Sequence, residues 1–326
     1  MPIPVLRARV AVVGLALAAT MTLVSTAQAK TIPADLRVVD SDGTVLAEQT
    51  QYTSKEDVKV KTDKRADCFG PGTGGSGGKT GVPGGTALAQ LVDGGRVDRD
   101  LRPLSISDSF DFGLALCGIG EAVSPQTGFF YLKTNHVASQ VAGDQTKVGK
   151  GDEILWFLIE DFNDPVPDEL VLSAPAKAEP GAELTVKVTA YGDDGTKSPA
   201  EGATVTGADA PTDAQGKTTI PADADLLELT ATRDGAIPSN DEVVCTTKAS
   251  ECPPGYESTI AGTGGDDKIA TGKNAERVLA GGGDDTIKAK GGGKAPDLVK
   301  CGGGDDKVTG YGKSGPTKFA GCEKVR

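Results

Sequence analysis

Histidine occurs once in this sequence of 326 residues, at His136, and no group of cysteines and histidines has the spacing of a zinc site. No Gly-x-Ser-x-Gly elbow is present, and nothing suggests a nucleophile held by a base and an orienting acid. The expectation is therefore a protein that is not an enzyme. Basic residues are also in short supply, 34 against 46 acidic ones. A chain with that balance repels nucleic acid and anionic lipid, and it suits divalent cations. Beyond the N-terminus no apolar run approaches the ~20 residues that span a bilayer.

The N-terminus itself has the parts of a secretory signal. Residues 1–29 carry Arg7 and Arg9 and no acid, then an apolar run over 10–19, then Ala27-Gln28-Ala29 as an A-x-A cleavage site. The expectation is a signal peptide over 1–29 and a secreted or cell-surface protein. Its removal leaves 32 basic and 46 acidic residues, a net charge of −14. Six cysteines in an exported chain read as disulfides. Counting cannot fix their connectivity, but their grouping suggests one bridge per region: Cys68–Cys117, Cys245–Cys252 and Cys301–Cys322.

Three regions follow the signal. In 30–163, Ser41-Asp42-Gly43 between apolar runs signals a hairpin, and 57–61 alternates like a strand. A glycine-rich loop spans 70–85, a short helix covers 86–92 with Gly94-Gly95 as its stop, and strands run over 129–133 and 153–159. These elements make an α+β unit. Within the loop, residues 73–80 imitate a phosphate loop, but Thr73 stands where its first glycine belongs, so the segment reads as a plain loop. Asp164-Pro165-Val166-Pro167 reads as a linker. Region 168–248 is strand and turn throughout, with period-two alternation at 183–189, a shorter candidate at 203–206 and another over 226–232. Such spacing suggests a β-sandwich.

The last region, 253–326, is repetitive. Gly262-Thr263-Gly264-Gly265-Asp266-Asp267-Lys268-Ile269, Ala280-Gly281-Gly282-Gly283-Asp284-Asp285-Thr286-Ile287 and Cys301-Gly302-Gly303-Gly304-Asp305-Asp306-Lys307-Val308 align with one another. Each fits the nonapeptide G-G-x-G-x-D-x-U-x, and the region resembles the calcium-binding RTX repeats. That resemblance implies a parallel β-roll with two nonapeptides per turn. Asp267, Asp285 and Asp306 would stack on one edge, with Ile269, Val278, Ile287, Val299 and Val308 pointing inward. Glycine permits φ > 0, so such turns can aim carbonyls at one point while aspartate supplies charge. Calcium takes six to eight oxygens in loose geometry. The candidate metal residues are Gly264, Gly265, Asp267, Gly282, Gly283, Asp285, Gly303, Gly304 and Asp306, holding about two calcium ions in the gaps of the column. Glu276 and Asp297 fall on the other edge, in half-turns without the repeat's glycine pattern, which reads as degenerate, so Glu276→Ala is expected to change little.

Two further likenesses concern the other regions. Phe129-Phe130-Tyr131-Leu132-Lys133-Thr134-Asn135-His136, with Gly149-Lys150-Gly151-Asp152-Glu153 and Trp156, resembles a domain of unknown function related to the C-terminal domain of transcobalamin and intrinsic factor. It implies a β-grasp-like fold and permits a small-ligand role; the residues by themselves read as core and turns, with His136 solvated. Region 168–248 resembles bacterial immunoglobulin-like or carboxypeptidase-regulatory-like modules, which serve as spacers or binding surfaces. The expected whole is mainly β and multi-domain: a β-grasp-like α+β domain, an Ig-like β-sandwich and a parallel β-roll. Its expected role is binding or display at an unidentified extracellular ligand or surface, with an extracellular small-ligand carrier as the alternative.

Overall fold

Glu153-Ile154-Leu155-Trp156-Phe157-Leu158-Ile159 is apolar without alternation, which a strand tolerates when both of its faces are covered. The computed structural model describes residues 31–175, 177–247, 252–272, 274–290, 296–310 and 317–325, and in it this strand is buried from Ile154 to Ile159. On one face Ile154, Trp156 and Leu158 meet the only helix among the described residues. On the other, Leu155, Phe157 and Ile159 pack with Val39 and with Ile237 of the second region. The signal segment lies outside the described residues.

The sheet around that strand is built on a hairpin of β1 (Thr31–Val39) and β2 (Val45–Ser54), antiparallel through Ser41-Asp42-Gly43. β1 also pairs in parallel with Glu153–Ile159, which pairs in turn with Phe129–Thr134. Helix α1 (Ala87–Val97) starts at Thr86, whose side chain accepts the Ala89 N–H, the usual N-cap device. It does not stop at Gly94-Gly95 as its composition suggests. A Cβ on Gly94 would lie 2.8 Å from Leu101 Cδ1 and 3.1 Å from Gln51 Oε1. The glycine is there for close packing, and the helix continues one turn past it.

The second region puts a five-stranded sheet against two short two-stranded ladders, around Leu170, Leu172, Val186, Val188, Ile220, Leu229 and Val244. Glu183–Tyr191 alternates as expected, burying Leu184, Val186, Val188 and Ala190. The candidate strand over 226–232 divides at Thr230 into Leu226–Leu229 and Ala231–Thr232, which pair with different partners. The three disulfides are local: Cys68–Cys117 in the first region, Cys245–Cys252 from the end of the second region into the segment that follows it, and Cys301–Cys322 in the third.

The third region coils. Ser258–Thr263, Glu276–Gly281, Leu298–Lys300 and Lys318–Ala320 form one parallel ladder. Lys268–Ala270, Thr286–Lys288, Lys307–Thr309 and Lys324–Val325 form a second. Ile269, Val278, Ile287, Val299 and Val308 are buried between them, at most 1 % exposed. The first ladder does not end at its own edge: Ser258–Thr263 pairs in parallel with β2, Thr50 opposite Ile260 and Gln51 opposite Ala261. One nine-stranded sheet therefore runs from the coil through the first region. Tyr52 enters the coil's core, and Gln51 Nε2 donates to Gly262 O at 2.7 Å.

His136 is not merely solvated. Asn135 and His136 both adopt left-handed φ, 51° and 68°, and this turn presses the imidazole against the second region. It stacks on Tyr191 with centroids 3.8 Å apart; Nε2 lies 3.1 Å from Glu153 and Nδ1 3.2 Å from Glu169. Arg37 completes this junction through Glu169 at 2.6 Å.

Candidate metal centre

The turns joining the two ladders of the coil stack directly on one another, and only glycine permits it. Gly283 and Gly304 have φ of 97° and 141°. A Cβ on Gly304 would fall 1.9 Å from Gly283 O, and one on Gly283 would fall 2.5 Å from Gly265 C. Gly282 and Gly303 form a parallel bridge, with the Gly303 N–H donating to Gly281 O at 3.0 Å. Gly264 opens the first turn beneath Arg96 of α1, whose Cδ would be 3.1 Å from a Cβ there.

Each turn ends in two aspartates that divide between surface and interior. Asp266, Asp284 and Asp305 are exposed and form an outer ladder: the Asp284 N–H donates to Asp266 Oδ1, and the Asp305 N–H to Asp284 Oδ1, both at 2.9 Å. Asp267, Asp285 and Asp306 are buried, at 2 %, 1 % and 0 % exposure, and form an inner column. The Asp267 N–H donates to Asp285 Oδ1 at 2.8 Å, and the Asp285 N–H to Asp306 Oδ1 at 2.8 Å. The second oxygen of Asp285 and of Asp306, and Oδ1 of Asp267, are buried without a hydrogen bond.

That arrangement is costly for bare carboxylates. Burial pushes the Asp285 carboxyl up to about 8; the Asp267 N–H opposes the shift, and the charges of Asp267 and Asp306 reinforce it. Asp267 is also raised by burial, against the pull of two bonds from Thr263, whose N–H and hydroxyl reach Oδ2 at 2.6 and 3.0 Å. Hard oxygens that are buried, negatively charged and lacking donors are what a hard divalent cation satisfies. Among the described residues no three acidic, histidine or cysteine side chains converge on one point. The carboxylates are strung along the coil axis at strand spacing, about 4.8 Å. An ion would therefore take two of them at most, with turn carbonyls as its remaining ligands.

The structure thus brings the predicted glycines and aspartates into one column and adds three features that the repeat alignment missed. Thr263 replaces a glycine yet caps Asp267. Ala280 and Cys301, which align with Gly262, are fully buried in the coil's core. The column continues to Glu323, whose Oε2 accepts the Asp306 N–H at 2.9 Å. Its signal was present, since Glu323-Lys324-Val325 repeats Asp306-Lys307-Val308, but the intervening turn is shorter and broke the period. The opposite edge also differs from its expectation: Glu276 and Asp297 are buried at 6 % and 0 % exposure, as firmly as the column itself.

The first region covers one end of this column. Asp93 of α1, fully buried and raised to about 6 by that burial, accepts the Ser54 N–H at 2.7 Å and pairs with Arg96 at 2.8 Å. The chain matches no known protein family, no curated protein and no solved structure.

Proposed function

We propose that this is a secreted or cell-surface binding or display protein, without enzymatic activity, whose C-terminal coil is an RTX-like β-roll stabilised by calcium. The observation that carries the reading is the inner column: three buried aspartates in register, each with an oxygen that no protein donor satisfies. Two ions in the gaps between Asp267, Asp285 and Asp306 would neutralise them, with carbonyls of Gly264, Gly265, Gly282, Gly283, Gly303 and Gly304 within the same turns. Three disulfides support an oxidising destination. Among the described residues no helix is long and apolar enough to cross a membrane. An aromatic patch supports the binding half of the reading. Phe69, Phe112 and Phe162 are 38 %, 53 % and 49 % exposed and join Phe110 and Phe129 in a chain of stacked and edge-on ring contacts, so five of the chain's eight phenylalanines lie together.

The test is calorimetry and circular dichroism on the chain from Lys30 onward, in chelator and in millimolar calcium. Melting should rise with calcium, each site adding about 2.7 kcal/mol at a hundredfold excess over Kd. Identical curves in the two buffers reject the metal reading.

A small-ligand carrier is the second reading, favoured by one feature. A cleft of about 710 Å3 opens where the three regions meet, lined by Arg37, Glu48, Glu169, Asp241, Tyr256 and Arg277 among others. Absorbance titration with cobalamin tests the version that the first region's resemblance implies; no spectral change at stoichiometric protein removes it.

A further inference from the structure

The buried pair on the edge opposite the aspartate column repeats that column's construction. Glu276 and Asp297 stand on adjacent coils in register, as the pairing of Arg277 with Leu298 requires. The Glu276 N–H donates to Asp297 Oδ1 at 3.2 Å, just as each aspartate N–H of the column donates to the next carboxylate. Thr271 Oγ1 donates to Asp297 Oδ2 at 3.0 Å and accepts the Lys290 N–H at 2.7 Å. The Gly272 N–H holds Glu276 Oε1 at 2.8 Å, and a Cβ on Gly272 would lie 2.6 Å from that oxygen. Glu276 is 94 % buried by complement of its 6 % exposure, and its Oε2 has no hydrogen-bond partner.

We propose that Glu276 and Asp297, with the Thr271 hydroxyl beside them, form a second divalent-cation site on the edge opposite the aspartate column. Two carboxylates one strand spacing apart, one with a free buried oxygen, offer hard negative ligands where only an ion or a shared proton restores balance. The choice of calcium as the ion rests on the reading of the aspartate column; the site itself does not.

The experiment is equilibrium calcium binding to the full chain from Lys30 onward, as wild type, Glu276→Gln, Asp297→Asn and Asp285→Asn. Glu276→Gln and Asp297→Asn should each bind one ion fewer than wild type, and Asp285→Asn should retain that ion while losing others. If the first two bind as many ions as wild type while Asp285→Asn binds fewer, the pair shares a proton instead, and this site is rejected with the column intact. If Asp285→Asn binds as wild type and Glu276→Gln loses an ion, the column reading falls and this site stands. Anomalous scattering from terbium-loaded wild-type crystals needs no variant to fold. A peak within about 2.6 Å of Glu276 Oε2 supports the site. Peaks confined to the aspartate column overturn it.

Discussion

Asp285 lies between two other buried carboxylates, which makes it the most informative residue of the column. Its Oδ1 is already committed to the Asp267 N–H, and Oδ2 is free between the turns above and below. Asp285→Asn should therefore reduce the calcium-induced rise in melting temperature more than Asp267→Asn does, because Asp267 lies at the covered end, satisfied in part by Thr263. An affinity loss of at least tenfold, about 1.4 kcal/mol, is expected in a calcium titration. Asp306→Asn should fall between the two, since Glu323 continues the column beyond it. At the junction of the first two regions, Glu48 provides a pH test. It is half-buried, and burial raises its carboxyl to about 7, opposed by Arg37 and the Asp241 N–H. A raised folded-state value means that the folded chain holds the proton more tightly. The stability this contributes is complete below about pH 4.5 and is lost as pH rises through about 7. Glu48→Gln should thus be more stable than wild type at pH 8, by about 1 kcal/mol after solvent screening, and equal to it at pH 4. Parallel denaturant titrations at the two pH values decide this.

At the scale of elements, α1 shows packing overriding composition. Alanine exceeds glycine in helix propensity by about 1 kcal/mol, so propensity alone predicts that Gly94→Ala stabilises. Leu101 and Gln51, the two side chains that its Cβ would meet, are both fully buried and have nowhere to move. Overpacking of that kind costs about 1–3 kcal/mol, and Gly94→Ala should therefore lower the denaturation midpoint. Arg96, two residues further along, lies on Gly264, so the same substitution should weaken calcium binding slightly by disturbing the covered end of the column. Most strands of the coil are three residues long or less, and Lys268–Ala270, Thr286–Lys288, Leu298–Lys300 and Lys307–Thr309 each bury a single side chain. Such elements hold by stacking rather than by individual propensity.

At the scale of the molecule, the shared nine-stranded sheet changes what counts as a folding unit. The coil's first strand completes its ladder on β2, and its core includes Tyr52. A fragment of residues 253–326 would lack both and present an open parallel edge. It should stay largely unfolded in millimolar calcium by circular dichroism, whereas the chain from Lys30 onward folds. A fragment that melts cooperatively in calcium, as the intact chain should, would show that the junction is dispensable. The first region should suffer in turn, since removing the coil bares the backbone of Thr50 and Gln51 and leaves Gln51 Nε2 without Gly262 O.

Local chemistry was legible from the sequence because it depends on residues close together in the chain. The glycine-aspartate period predicted stacked turns, the inward Ile and Val residues followed at fixed offsets, and the local grouping of cysteines matched the three pairings. Mainly-β organisation followed from alternation and turn residues. Three things depended on contacts between distant segments and were decided only by tertiary structure. The glycines of α1 are explained by Leu101 and Gln51, not by the helix. His136 is placed by Glu169 and Tyr191 of another region. The edge of Glu276 and Asp297 looked degenerate because Asn274 and Ala295 break the glycine pattern there, but burial is set by the register of adjacent coils, which brings together two carboxylates 21 residues apart in sequence. A periodic motif records how a turn is built; which oxygens are sealed from water is decided when the coils stack and the first region closes over them.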